Sequence, residues 1–503
     1  MYTEQAWIYK RAALTPTKTA LIDSCTGRHW SYERLISQVS QWTHYFQQQD
    51  YEKGDRIVVL SENRIELFAI LFACGMTGLI YVPLNFRLSS NELRYILDDC
   101  KPVLIICDEE HQQAGEAFSD VELVLVTKTI GISTNHFINY KWSSADPWMI
   151  IYTGGTTGKP KGVVLSFNAV NWNAMNTIIS WGLSDRDCTL NYMPMFHTGG
   201  INALCIPILM AGGTVVIGSR FRAEEALKAI NTYKTTISLF VPTMYQAMLE
   251  TEYIKTASFP TVKVFLAGGA PCPHSIYDKF NEKGILFKEG YGLTEAGPNN
   301  FYVDPLIAYS KKGSVGKSMQ FNEVKIMNKE GRECSVDEVG ELYISGKHLF
   351  SHYWNNEEET ELTLQDGWLK SGDLARFDKD GDYYIVGRKK EMIITGGENV
   401  YPQEVEQCLI LHSSVREAAV IGIPDTKWGE CVTAFICNNA HTLSSVEELI
   451  SHCKDYLGGF KVPKKIIFVD ELPRTDVGKI DKKKLYELAG ESSNIILTKR
   501  GSE

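Results

Sequence analysis

The stretch Trp148–Phe167, WMIIYTGGTTGKPKGVVLSF, constrains the fold of this chain more than any other. An apolar run at 149–152 leads into a loop of Thr, Gly and Lys, and a second apolar run at 163–165 leaves it. This pattern predicts strand, loop and strand. Glycine lets a loop approach a ligand closely, and successive backbone N–H groups can form a concave anion site. The stretch therefore predicts a polyphosphate-binding loop.

The loop differs from the Walker phosphate loop, which needs Gly-x-x-x-x-Gly-Lys followed by Ser or Thr and a helix. Thr153 stands where the first glycine would be, Pro160 follows Lys159, and the next element has the pattern of a strand. An ordinary glycine-rich hairpin is the alternative interpretation. The density of glycine, hydroxyl and lysine side chains favours phosphate binding.

Length, charge and cysteine spacing limit the class of function. The 503 residues suffice for at least two domains with a large core, and the net charge of −10 argues against generic nucleic-acid binding. The twelve cysteines form no C-x-x-C pair and no zinc-type cluster, which suits a reducing compartment. The N-terminus lacks an apolar signal core, and the apolar stretches 67–83 and 203–218 contain Gly or Pro. We expect a cytoplasmic protein with no integral membrane segment.

The remaining pattern predicts an α/β fold with a large N-terminal domain at 1–387. Helical and strand patterns alternate on both sides of the loop, which favours stacked, mostly parallel sheets with helices on their faces. Short alternating strands at about 311–387 predict a small β-rich subdomain within this domain. A charged segment at 388–391 leads to a small α+β domain at 392–503, and the tail after Ala489 is expected to be poorly ordered.

Four strands that follow the phosphate loop share one feature, because each ends in a Gly/Pro-rich or polar loop. These loops are 194–200, 242–243, 268–271 and 290–295. In open α/β sheets ligands bind at the carboxyl ends of the strands. We therefore expect the four loops to converge on one site.

The sequence YTGGTTGKPKG resembles the phosphate-loop signature of the adenylate-forming superfamily, which includes acyl-CoA and aryl-CoA synthetases, peptide-synthetase adenylation domains and luciferases. Gly154 stands where that family usually has Ser, so one hydroxyl is missing. The resemblance covers nearly the whole chain and five motifs in the expected order. It implies ATP, Mg²⁺ and coenzyme A as ligands, and a small C-terminal domain that moves between two half-reactions.

The same resemblance implies the roles of the nucleotide-site residues. Tyr291 would pack on adenine, Thr294 would meet the α-phosphate, and Asp373 would bind the ribose hydroxyls. Glu295 and Thr156 would be the magnesium ligands. For Asp373 an ordinary turn residue is the alternative. The implied ligand-binding residues are Thr153, Gly154, Gly155, Thr156, Thr157, Gly158, Lys159, Gly269, Ala270, Tyr291, Gly292, Asp373, Arg388, Lys390, Gly396 and Gly397.

The resemblance also implies the catalytic residues. Lys479 matches the catalytic lysine, whose single charge must reach both the carboxylate and the α-phosphate, and Lys161 would offset further charge. Read without the family, Lys479 is one exposed lysine among many. His197 stands where acyl-CoA and aryl-CoA synthetases carry His, and amino-acid-activating domains carry Asp, so an amino-acid substrate is disfavoured. Lys390 matches the hinge, about which rotation would bring the loop 396–399 to the site for thiolate attack.

Residues that match the acid pocket of the family are small or apolar, and they include no Lys or Arg. This favours an uncharged, aliphatic acyl chain, although core packing explains the same residues nearly as well. We expect an ATP-dependent acyl-CoA synthetase that converts a fatty acid, ATP and CoA to acyl-CoA, AMP and pyrophosphate through an acyl-adenylate. The alternatives are an aryl-acid CoA ligase of the 4-coumarate or o-succinylbenzoate type, transfer to a carrier protein, or a nucleotide-binding protein without catalysis. The pocket residues are Gly199, Gly200, Ile201, Val241, Gly268, Gly269, Gly292 and Gly297.

Overall fold

Four sheets form the framework of the described part of the chain, three of seven strands and one of five. The computed structural model describes residues 5–118, 120–128, 130, 142–154, 160–439, 444–475 and 479–496, with side chains up to residue 490. The first three sheets belong to the part of the chain before residue 389, and the fourth lies after it. The α/β class and the small C-terminal α+β domain predicted from the sequence are confirmed.

The first sheet carries the glycine-rich stretch. Pro147–Thr153 and Lys161–Ser166 are antiparallel neighbours with Thr153 opposite Lys161, so the predicted strand–loop–strand pattern is confirmed. The tip of the loop, 155–159, lies outside the described residues. In spatial order the strands are His352–Tyr353, Lys161–Ser166, Pro147–Thr153, Ile80–Pro83, Arg56–Leu60, Leu104–Cys107 and Glu122–Leu125.

The second sheet brings the four predicted loops to one edge. The strands that precede these loops are adjacent and parallel, so their carboxyl ends lie side by side, as expected from the sequence. In spatial order the strands are Phe287–Glu289, Val264–Ala267, Ile237–Phe240, Cys188–Asn191, Thr214–Ile217, Thr19–Asp23 and His29–Ser31.

Helices pack between and around these sheets. Every residue of Glu66–Thr77 is buried, and its main helical neighbour is Tyr32–Gln47. Within the described ranges, no helix has both the length and the apolar character that crossing a bilayer requires. The helices before residue 389 are Trp7–Leu14, Tyr32–Gln47, Glu66–Thr77, Ser90–Cys100, Gln112–Glu116, Phe167–Trp181, Thr198–Asn202, Cys205–Ala211, Ala223–Thr232, Pro242–Leu249, Glu252–Thr256, His274–Glu282, Pro305–Ala308 and Glu357–Thr363.

The third sheet contains the predicted β-rich segment. Its strands are antiparallel, and Asp373 is the register partner of Arg388. In spatial order the strands are Phe301–Tyr302, Ser314–Ser318, Tyr383–Arg388, Trp368–Phe377, Gly340–Gly346 and Asn322–Met327, with Leu364–Gln365 paired to Trp368–Phe377.

The fourth sheet organises the C-terminal domain. Its strands are Glu398–Val400, Ile393–Thr395, Gly429–Asn438 and Val415–Asp425, with Lys465–Phe468 beside Gly429–Asn438. The helices are Pro402–Ile410, Val446–Tyr456 and Lys482–Ile496. Leu485 and Ala489 of the last helix are buried in a cluster with Ala419 and Phe435. The helix continues to Ile496. Since its buried residues precede residue 490, the expectation of a poorly ordered tail after Ala489 stays a prediction.

Candidate active site

Asp373 is a buried carboxylate held from two sides. The Arg388 Nε lies 2.8 Å from Asp373 Oδ1, and the Tyr291 hydroxyl donates a hydrogen bond to Oδ2. The Asp373 N–H donates to the Ser371 hydroxyl at 3.0 Å. Since each carboxylate oxygen offers two lone pairs, both oxygens can still accept a hydrogen bond from a ligand. The carboxylate thus fits a vicinal diol such as ribose.

Lys479 lies within electrostatic reach of this carboxylate. Burial raises the pKa of Asp373, and Arg388, Tyr291 and Lys479 all oppose that rise. Removal from water lowers the pKa of Lys479, and the positive charge of Arg388 lowers it further. The negative charges of Asp373 and Glu295 partly offset this by raising the pKa. The Lys479 residue is exposed to solvent. A lysine of the C-terminal domain therefore lies within electrostatic range of Asp373 and Glu295 in the N-terminal domain.

Glu295 is held by a strand distant in sequence. It lies in the short 3₁₀ turn Thr294–Ala296 and accepts a hydrogen bond from the Tyr353 hydroxyl, with 2.7 Å between Oη and Oε1. The Phe350 N–H donates to the Glu295 carbonyl at 2.8 Å. Gly292 leaves no room for a side chain, because a Cβ there would lie 2.2 Å from the Pro298 carbonyl carbon. This turn is fixed on both sides, and a carboxylate oxygen beside phosphate is what Mg²⁺ prefers.

Lys161 forms an ion pair that the sequence did not reveal. Its partner is Glu359, in the first turn of the helix Glu357–Thr363, which Asn356 caps. The Lys161 Nζ also lies 5.4 Å from the centroid of the Tyr353 ring. Sequence reasoning missed Glu359 and Tyr353. The sequence does indicate an acidic helix start capped by Asn356, but no local pattern indicates that this helix start contacts Lys161.

The phosphate loop itself is described only at its ends. Thr153 and Gly154 lead out of the first strand, and Lys161 begins the second. The remaining predicted residues lie outside the described residues, so their phosphate-binding and magnesium-binding roles stay predictions. These residues are Gly155, Thr156, Thr157, Gly158 and Lys159.

His197 presents a buried ring nitrogen to the site. It precedes the short helix Thr198–Asn202, and its Nε2 has no hydrogen-bond partner within the described part of the chain. Burial, followed by the charges of Lys479 and Arg87, lowers the pKa of His197 to about 4. The ring is therefore neutral at pH 7. Its Nε2 can donate or accept one hydrogen bond with a substrate, depending on the tautomer.

The other predicted residues lie at strand ends and in turns. Gly269 and Ala270 are exposed just after Val264–Ala267, and Lys390 lies in a short 3₁₀ turn that follows Arg388.

Gly396 and Gly397 form the two-residue turn of a hairpin, with φ values of +61° and +87° that favour glycine. A Cβ on Gly396 would lie 3.2 Å from the exposed Trp428 ring, which Lys464 covers at 3.8 Å.

Comparisons with known proteins define the class of this chain as an AMP-forming acid–thiol ligase, an enzyme that uses ATP, Mg²⁺ and CoA to convert a carboxylic acid to its thioester. Two family models match the chain, the AMP-binding enzyme model over residues 8–354 and the AMP-binding enzyme C-terminal domain over 404–479. The chain belongs to the AMP-binding enzyme family.

Individual relatives match almost the full length of the chain. A feruloyl-CoA synthase from Amycolatopsis is 34% identical over 94% of this chain and 96% of its own. An indoleacetate–CoA ligase from Aromatoleum aromaticum is 32% identical over 96% and 97%. The solved o-succinylbenzoate CoA synthetase from Bacillus subtilis, in complex with its acyl-adenylate, has a TM-score of 0.87 at 31% identity, covering 95% of this chain and 97% of that one. The same synthetase has also been solved with ATP and magnesium.

Proposed function

We propose that the acid activated by this enzyme carries an aromatic ring. The observation that carries the proposal is the set of relatives matched over nearly the whole chain, which are named for ferulate, indoleacetate and succinylbenzoate. Each of these acids contains a ring. The sequence-based prediction of an aliphatic acid depended only on apolar pocket residues. Apolar walls suit an aromatic ring equally well.

Aromatic side chains beside His197 support this choice. The His197 and Phe196 ring centroids are 4.7 Å apart, and Phe86 meets Phe196 edge to face at 5.5 Å. Offset and edge-to-face ring contacts add specific stabilisation to apolar burial. These rings would contact a flat substrate whose carboxylate points toward the predicted nucleotide site.

The predicted pocket glycines do not all create space. A Cβ on Gly200 would lie 2.2 Å from the Pro194 carbonyl oxygen, so close backbone packing requires this glycine. At Gly269, in contrast, the nearest atom to a Cβ would be Val241 Cγ1 at 3.5 Å. Gly269 and Val241 are therefore the better candidates for the pocket wall.

The chemistry follows in two half-reactions. The acid carboxylate attacks the α-phosphorus of ATP, pyrophosphate leaves, and an acyl-adenylate forms. Lys479 would stabilise the negative charge shared by the carboxylate and α-phosphate, and neutral His197 would offer a hydrogen bond without adding charge. Magnesium, when bound, neutralises phosphate charge, and Glu295 would hold it. After rotation about Lys390, the CoA thiolate would attack the acyl carbonyl and AMP would leave.

The test compares acids of similar size with and without a ring. AMP release and CoA-thioester formation are measured with ferulate, indole-3-acetate and 2-succinylbenzoate, and with hexanoate and decanoate as ring-free controls. We expect kcat/KM for at least one aryl acid to exceed both controls by about 100-fold, the scale at which pocket contacts discriminate. Turnover of the ring-free acids alone would overturn the aryl proposal and restore the aliphatic one.

A further inference from the structure

The hydrogen bond between Tyr353 and Glu295 links two parts of the site that are far apart in sequence. We propose that Tyr353 is a positioning residue, which orients the Glu295 carboxylate toward the bound metal ion. The inference rests on the adenylation half-reaction of the proposed function and is independent of which acid is activated.

Tyr353 is itself held rigidly. It is 6% exposed, its register partner is Val163 on the strand that leaves the phosphate loop, and its N–H donates to the Thr360 hydroxyl at 2.9 Å. Its ring meets that of Phe350 edge to face at 4.9 Å. Because strand pairing, a backbone hydrogen bond and a ring contact all restrain Tyr353, its hydroxyl can occupy few positions.

The hydroxyl determines which way the carboxylate faces. Tyr353 Oη lies 2.7 Å from Glu295 Oε1, so this carboxylate oxygen is engaged. Among the described residues, Oε2 has no hydrogen-bond partner that would compete with a cation. The Glu295 backbone is fixed independently, because its carbonyl accepts the Phe350 N–H. Outer-shell partners that orient a ligating carboxylate typically contribute 10–100-fold to metal affinity or activity.

The same residue ties the carboxylate to the phosphate loop. Lys161, two residues before the register partner of Tyr353, places its Nζ 5.4 Å from the tyrosine ring and pairs with Glu359. The distance between Glu295 and the loop exit is thus set through Tyr353. Glu295 would hold the metal ion, and a constant distance from its carboxylate to the loop exit would keep that ligand in place.

The test is Tyr353→Phe, which removes the hydroxyl and keeps the ring. Mn²⁺ is the probe, titrated by electron paramagnetic resonance into enzyme with ATP bound and with no acid or CoA, so that no turnover occurs. We expect the Mn²⁺ dissociation constant to rise about 10–100-fold. The matched control is Tyr384→Phe, which removes a hydroxyl 3.2 Å from Asp378 Oδ2 in the third sheet and should leave the constant unchanged within twofold.

Two further measurements separate positioning from general structure. Combined with Glu295→Gln, Tyr353→Phe should cause no additional loss of Mn²⁺ affinity, because the hydroxyl acts through the carboxylate. Excess Mg²⁺ should restore the adenylation kcat of Tyr353→Phe, with the change confined to the KM for Mg²⁺. An unchanged Mn²⁺ constant, additive losses in the double variant, failure of Mg²⁺ to rescue, or a variant that does not fold would each overturn the proposal. Since the titration contains no acid, a negative result in the acid panel does not affect it.

Discussion

Arg388 and Asp373 face each other across two antiparallel strands of the third sheet, with the Arg388 Nε 2.8 Å from Asp373 Oδ1. Tyr291, from the loop that follows the second sheet, donates to the other oxygen of the same carboxylate. Arg388 lies two residues before Lys390, the predicted hinge. One buried carboxylate therefore connects the third sheet to the loop that follows the second sheet, next to the segment that leads to the C-terminal domain.

The substitution Asp373→Asn should weaken ATP binding about 10–100-fold. It removes a charged acceptor that is expected to bind the ribose hydroxyls, and it leaves Arg388 without its ion-pair partner; hydrogen bonds to charged groups contribute about 1.5–3 kcal/mol. Isothermal titration with ATP in the absence of acid measures the effect. The control is Asp380→Asn, an exposed carboxylate paired with Lys311, which should bind ATP normally. Equal loss in both variants would contradict a specific role.

The substitution Lys479→Ala should reduce acid-dependent ATP–pyrophosphate exchange about 100–1,000-fold, the scale of one lost transition-state donor. ATP binding should be largely kept, because the lysine is expected to act on charge that develops during the reaction. Thioester formation from supplied acyl-adenylate should also be kept. The control is Lys484→Ala, which removes an exposed lysine of the last helix and should leave exchange unchanged. A wild-type exchange rate in Lys479→Ala would contradict the assignment of Lys479 as the catalytic lysine.

The substitution Lys390→Pro should block thioester formation and spare adenylation. Proline fixes φ near −65° and so prevents the backbone rotation that the hinge requires. Single-turnover assays of the two half-reactions measure the split. In Lys390→Ala the side chain is lost but the backbone is free, so both half-reactions should proceed. Equal loss of both steps in the proline variant would place the hinge elsewhere.

The substitution Glu289→Gln should make stability less dependent on pH. Burial raises the pKa of Glu289 from 4.5 to about 7, against hydrogen bonds from the Tyr277 hydroxyl and the Cys272 N–H. The folded state therefore holds a proton that the unfolded chain has lost between these pH values, and stability falls as pH rises from about 4.5 to 7. Above pH 7, the free energy of unfolding is lower by about 3 kcal/mol than it is below pH 4.5.

Urea unfolding at pH 5 and pH 8 measures this linkage. We expect the wild-type protein to lose stability relative to Glu289→Gln on going from pH 5 to pH 8. Glu282→Gln, at an exposed position on the preceding helix, serves as the control and should follow the wild type at both pH values. A constant difference between Glu289→Gln and wild type would show that the carboxyl does not titrate in this range.

The substitution Trp428→Ala should raise the KM for CoA and leave adenylation unchanged. Trp428 is exposed beside the Gly396 turn, and Lys464 and Lys427 lie 3.8 and 4.8 Å from its ring centroid. An aromatic face flanked by lysines suits a base with neighbouring phosphates. Tyr456→Ala removes another exposed aromatic side chain of the same domain and should leave the KM for CoA unchanged.

Local pattern was sufficient for the elements and for their order. Apolar periodicity predicted the two strands around the glycine-rich loop, four of the parallel strands of the second sheet and the short strands of the third. It predicted no helix at Lys482–Ile496, because the apolar residues there are few among polar ones, and Leu485 and Ala489 become buried only against the sheet.

The sequence by itself determined the strand–loop–strand unit, the α/β class and the residue types that chemistry with ATP requires, because these depend on periodicity and on short motifs. Only the tertiary structure decided which of those residues meet. Lys479 reaches the electrostatic neighbourhood of Asp373 from another domain, Tyr353 bonds Glu295, and Glu359 pairs with Lys161. Contacts of this kind arise from the packing of sheets and domains, and no short stretch of sequence encodes them.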